Sequence, residues 1–81
     1  MSVSRYFAEQ VLRKRPYLSE RLCRDVIAAQ IRRAVQDDGR IRFWGGAILP
    51  GEEKARILRV VTLEDGATVH NAFIDRDFCE D

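Results

Sequence analysis

Eighty-one residues, 46% of them hydrophobic and 33% charged, describe one small globular domain rather than a disordered chain. No apolar run approaches the ~18 residues of a membrane span, and a lone histidine with two cysteines supplies neither a zinc set nor a disulfide framework. The net charge of +1 hides a division, with ten basic and five acidic side chains in residues 1–44 against four and eight in residues 45–81.

Val3, Phe7 and Val11 recur every four residues, with Ala8 and Leu12 beside them, which predicts an amphipathic first helix. Ser2 or Ser4 can cap its start. Pro16 should end it, because the residue before a proline avoids the helical conformation. The preceding Arg13-Lys14-Arg15 suits the negative end of the helix dipole. Ser19 then caps a second helix, with Glu20 in its first turn and Leu22, Cys23, Val26 and Ile27 as its apolar stripe. The preferred reading ends this helix near Gln30 and makes residues 33–37 a short strand. The alternative is one helix running on to Gln36.

Asp38-Gly39 reads as a two-residue hairpin turn of the kind that needs positive φ at both positions. Residues 40–49 follow as a strand of period two, with Ile41 and Phe43 on one face and Arg42 and Trp44 on the other. Gly45-Gly46 predicts a bulge or bend in it, and PGEEK, residues 50–54, an exposed loop. Residues 56–63 are apolar on both faces, as a central strand should be. Asp65-Gly66 reads as a second two-residue turn, residues 68–74 as the last strand, and DRDFCED as a short tail folded on the sheet through Phe78. The expected fold class is α+β, with two N-terminal helices packed on one face of a three- to four-stranded antiparallel sheet. The opening MSVSRYFAEQ lacks the apolar block of a signal peptide. A cytoplasmic location is therefore expected, with Cys23 and Cys79 as reduced thiols.

A two-residue turn at Asp65-Gly66 sets the register of the last hairpin. Glu64 pairs with Ala67, and outward from there Val61 faces His70, Val60 faces Asn71, Arg59 faces Ala72 and Leu58 faces Phe73. The face carrying Leu58, Val60, Thr62, Val69, Asn71 and Phe73 goes to the helices, where Asn71 would need a buried partner. The other face carries Ile57, Arg59, Val61, Leu63, Thr68, His70, Ala72 and Ile74. On it Arg59 and His70 are diagonal neighbours on the order of 7 Å apart, close enough to act on one phosphate or carboxylate. Arg42 and Trp44, one strand away, can join them, the arginines on phosphates and Trp44 stacking a base of single-stranded RNA. Twelve of the fourteen basic residues are arginine, whose rigid fork suits phosphate. Plainer readings stand beside these. His70 can be a packed surface residue, Arg59 can cover apolar surface with its stem, Asp75-Arg76 can be a local ion pair, and the apolar residues of the face suit a protein partner as well.

The phrases KRPYLS, QDDGRIRFWG, LRVVTLEDG and TVHNAFIDRDF, spread over residues 5–79, resemble a family of short bacterial proteins related to the BrnT and RelE-like toxins. The resemblance implies a BrnT/RelE-like fold and a cytoplasmic endoribonuclease of a toxin–antitoxin system, held inactive by an antitoxin protein. It implies RNA cleavage without metal or cofactor, by attack of a ribose 2′-hydroxyl on the adjacent phosphate. That reaction needs a proton acceptor, a proton donor and cations on the developing phosphorane charge. Carried onto this chain, His70 becomes the acid/base, Arg59 and Arg76 the catalytic cations, and Arg40, Arg42 and Trp44 the RNA contacts. The rival expectation is a non-catalytic module that holds a protein or RNA with the same face.

Overall fold

The computed structural model describes residues 2–78. Strand β1 (Ser2–Val3) leads into a first helix of residues 5–14, and a second helix spans Glu20–Ala28. Strands β2 (Arg32–Val35), β3 (Ile41–Ala47), β4 (Arg56–Thr62) and β5 (Thr68–Ile74) follow. They form one sheet in the order β1-β5-β4-β3-β2, antiparallel except where β1 pairs parallel with β5. Both helices lie on the same face of this sheet, so the fold is the expected α+β with one added edge strand.

Local chemistry accounts for the helices. Ser4 caps the first, its hydroxyl accepting the Phe7 N–H at 3.1 Å. Val3, expected in the helical stripe, instead pairs with Val69 in the sheet and still packs against the same core. Phe7–Val11 is wound as a π-helix, with the Leu12 N–H reaching back to the Phe7 carbonyl. The helix stops at Lys14, and Arg15, ahead of Pro16, is non-helical (φ −126°, ψ 76°). Ser19 caps the second helix by accepting from the Leu22 N–H at 3.1 Å. Phe7, Val11, Cys23 and Val26 from the helices meet Leu58, Val60, Val69 and Ala72 from the sheet, all essentially inaccessible to solvent. Burial, then the nearby Glu20 carboxylate, pushes the Cys23 thiol up to about 12, so it behaves as a core hydrophobe. Cys79 lies outside the described residues.

Three turns of the chain differ from the expectation. Both hairpin loops are longer than two residues. Gln36 pairs with Arg40 around Asp37-Asp38-Gly39, and Leu63 with Thr68 around residues 64–67. In each loop only the glycine has positive φ, Gly39 at 89° and Gly66 at 68°, so neither aspartate has to adopt the left-handed region. Asp65 works through its side chain instead, accepting from the Ala67 and Thr68 N–H groups at 2.9 and 2.8 Å and from the Thr68 hydroxyl. The third difference is at Gly45-Gly46, which forms no bulge. Both glycines stay in register, opposite Leu58 and Ile57. Gly45 is needed for close approach, since a Cβ there would sit 3.1 Å from both Cγ1 and the carbonyl oxygen of Val26 on the second helix.

The bulge lies in β5. Thr62 pairs with Val69 as the sequence predicts, but Val61 pairs with Asn71, leaving His70 as the extra residue. Beyond it every partner shifts by one. Val60 faces Ala72, Arg59 faces Phe73 and Leu58 faces Ile74. Ala72 and Ile74 therefore turn to the helices, and Asn71 and Phe73 to the open side. Asn71 needs no buried partner, because its side-chain oxygen takes the Ala72 N–H at 2.9 Å.

At the far edge, the Gln36 N–H donates to the Arg40 carbonyl, so the even residues of β2 bond inward to β3. By the alternation of an antiparallel ladder, Arg33 and Val35 turn their N–H and C=O groups to open solvent.

Replacing Gly45 by alanine should cost about 1–3 kcal/mol, the usual range for overpacking; urea midpoints for the wild type and Gly45→Ala would check it. Asp65 sets part of the acid limit. The Thr68 hydroxyl first, then the Thr68 and Ala67 N–H groups, hold its carboxyl down at about 2, against ~3.9 in an unfolded chain. The stability it contributes is complete above pH ~4 and disappears as the pH falls through the folded value. Urea midpoints followed from pH 4 to 2 should fall more steeply in the wild type than in Asp65→Asn.

Candidate nucleic-acid interface

The face of the sheet opposite the helices is concave and cationic. Its central cavity, about 410 Å³, is floored by Arg42 of β3, Arg59 and Val61 of β4, and His70, Asn71 and Phe73 of β5. Gln36 and Arg40 close one side and Tyr6 of the first helix the other. His70 and Arg59 thus share the open face, and the bulge adds Asn71 and Phe73 to it.

Among the described residues, none of the three arginines lining this cavity makes an ion pair shorter than 3.7 Å. The Arg59 guanidinium lies 4.2 Å from the centre of the Phe73 ring. Its Nε has no hydrogen-bond acceptor, and the nearest carboxylate, Asp75 Oδ2, is 3.8 Å away. Arg42 is aligned by Gln36, whose amide oxygen, turned toward it, accepts from Nε and Nη2 at 2.7 Å each. Arg40 pairs with Asp38 at 3.7 Å across the turn. Arg15, at the end of the first helix, reaches within 6.0 Å of the Phe73 ring.

His70 is the best-defined group. Its Nδ1 is 2.9 Å from Ser4 Oγ, and its ring stacks on Tyr6 with centroids 4.9 Å apart. Burial, then the Arg40 charge, holds its pKa below the ordinary 6.5, which favours the neutral imidazole. A neutral imidazole among arginines can take a proton beside a bound anion, and the imidazolium so formed can return it.

The other residues singled out from the sequence fall elsewhere. Trp44 is on this face but only 6% exposed. Its Nε1–H donates to Asp75 Oδ2 at 2.9 Å, its ring stacks on Phe78 at 5.9 Å, and Arg32 sits 5.5 Å from its centroid. That hydrogen bond is the main cause holding the Asp75 carboxyl below its ordinary value, with the Asp77 N–H and Arg59 adding to it. The stacking surface given to a base by the sequence reading is thus occupied by Phe78, the tail residue expected to fold on the sheet. Trp44, Arg32, Asp75, Asp77 and Phe78 line an adjoining cavity of about 580 Å³, which shares Arg42 and Arg59 with the first. Arg76 is exposed in the following turn and lines neither cavity. Tyr6, Gln36 and Ser4 were not read as part of the face. Only Ser4 carried a signal, as a candidate cap.

Among the described residues, no group of His, Cys, Asp and Glu could hold a metal ion, and no helix is long and apolar enough to cross a membrane. Comparison of the chain with protein-family models, with curated proteins and with solved structures finds no match.

Trp44 is the only tryptophan, so its emission reports on the Phe78 cover alone. In Phe78→Ala the emission should shift to the red and acrylamide should quench it more strongly. An unchanged spectrum would mean that Phe78 does not cover the ring.

Proposed function

We propose that the open face of the sheet binds single-stranded RNA and cleaves it by acid/base chemistry, as a toxin-like endoribonuclease. The observation that carries the reading is the meeting of His70 with Arg40, Arg42 and Arg59 in a single cavity. The order of two helices followed by antiparallel strands agrees with the BrnT/RelE-like resemblance, and a neutralising antitoxin protein would act by covering this face.

In the proposed reaction His70 accepts the proton of the ribose 2′-hydroxyl as its oxygen attacks the adjacent phosphorus. The P–O5′ bond breaks, the 5′-oxygen takes a proton from water or from the imidazolium, and a 2′,3′-cyclic phosphate remains. No metal is required, because Arg59 and Arg42 carry the charge that builds on the phosphorane oxygens. Arg40 holds a flanking phosphate, and a base stacks on Tyr6, 47% exposed, rather than on Trp44. Arg76, outside both cavities, has no part in the step.

The rival is a module that holds RNA or an acidic protein segment without cleaving it. Arg59 already has an acidic neighbour in Asp75, which favours that reading in one respect. Purified protein incubated with end-labelled single-stranded RNA separates the two. Cleavage should yield cyclic phosphate ends, fall about 10²–10⁴-fold in His70→Ala, and fall strongly in Arg59→Ala, while Arg76→Ala stays near wild type. Growth arrest on induced expression should follow the same order. RNA that is bound, with salt-sensitive affinity, but left intact by the wild type would establish the module instead.

A further inference from the structure

The bulge, the edge strand and the first helix meet at one atom, the Ser4 hydroxyl oxygen. The parallel pairing of β1 sets Val3 beside Val69, and the Ser4 N–H then donates to the Val69 carbonyl at 2.7 Å. Residue 4 is therefore fixed against the residue that precedes the bulged His70. Its hydroxyl accepts the Phe7 N–H at 3.1 Å and lies 2.9 Å from His70 Nδ1. A serine hydroxyl has one proton and two lone pairs. With one lone pair given to Phe7, a proton and a lone pair remain for the imidazole. The hydroxyl can donate to a bare Nδ1 or accept from a protonated one. The contact thus survives both charge states of the ring without the ring turning.

We propose that Ser4 is the positioning residue of His70, anchoring the ring through Nδ1 so that Nε2 is the nitrogen that exchanges protons in the cavity. The role given to Nε2 rests on the RNA-cleavage reading above; the anchoring of Nδ1 does not. Without the anchor the ring has no fixed choice of nitrogen, because the terminal torsion of histidine is broad and roughly two-fold. Tyr6 stacking restrains the plane of the ring but does not distinguish its two edges. The groups facing His70 from the neighbouring elements are Ser4 and Tyr6 from the N-terminal segment, Arg40 and Arg42 from the β2–β3 hairpin, Arg59 from β4 and Asn71 from β5. No carboxylate lines that cavity among the described residues, so a negative charge placed at position 4 would be the imidazole's nearest counter-ion.

His70 is the only histidine, so its two ring nitrogens can be followed by ¹⁵N NMR without assignment ambiguity. Ser4→Thr, which keeps the hydroxyl and the cap, should keep the wild-type ring shifts. Ser4→Ala, which removes the Nδ1 contact, should move the Nδ1 shift away from its wild-type value. Ser4→Asp keeps a capping oxygen and should raise the His70 pKa by about one pH unit or more, carrying the acid limb of RNA cleavage with it. Ring shifts and titration in Ser4→Ala identical to wild type, or an unmoved pKa in a folded Ser4→Asp, would overturn the proposal. If the ring responds as expected while the wild type cleaves no RNA, the anchor stands and the cleavage reading falls.

Discussion

The bulge at His70 gives β5 one residue more than β4 can pair with, and the distribution of side chains between the two faces depends on it. Between the turn and the bulge the hairpin keeps its expected register, with Val69 in the core. After the bulge the parity reverses, so that Ala72 enters the core and Asn71 and Phe73 face outward. Without the extra residue, Phe73 would be driven into the space beneath the helices and Ala72 would leave a gap among the arginines. Asn71 makes the irregularity tolerable by capping the Ala72 N–H with its own side chain. Backbone bookkeeping and site geometry are therefore settled by the same two residues.

What could be read from the sequence was local. Ser19, Pro16 and the spacing of Phe7 and Val11 act within a turn or two of chain, and each behaves as local chemistry predicts. Residues 68–74 followed from alternation, and the central strand from its apolar residues on both faces. The bulge carried no such mark, since it contains no glycine and its extra residue, His70, meets a partner 66 residues away in sequence, Ser4. The loop lengths were misjudged for a related reason. Aspartate before glycine suits both a two-residue turn and a longer loop, and what distinguishes them is that the Leu63 N–H bonds the Thr68 carbonyl, which a two-residue turn would leave as a non-hydrogen-bonded pair. Gly45 was seen as a break because the helix that presses on it was not visible from the strand. Trp44 was read as open for a similar reason: a cation, Arg32, an aromatic ring, Phe78, and the Asp75 carboxylate converge on it from other parts of the chain.

Part of the chain's charge division becomes spatial in the fold. Arg32, Arg40 and Arg42 of the first half and Arg59 of the second line the two cavities of one face, whereas Asp38, Asp65 and Asp75 stand in the loops at its margins. The marginal acids tether arginine side chains without neutralising them, as the 3.7 and 3.8 Å separations show. Such long, partly hydrated pairs contribute little to stability. They leave the cations oriented and available, which a short bidentate pair would not.

The free edge of β2 has a consequence for how the molecule behaves in company. Arg33 and Val35 offer outward N–H and C=O groups, and Val35 and Ile31 are 60% and 45% exposed there. Such an edge is a template on which a second chain could extend the sheet. What guards it is the brevity of the strand and the charge of Arg32 and Arg33, for two copies brought edge to edge would bring their arginines close together. Guanidinium groups are weakly hydrated and rigid. Their mutual repulsion is screened by ions, and the Debye length shrinks to ~3 Å at 1 M salt. The protection of this edge thus weakens as ionic strength rises.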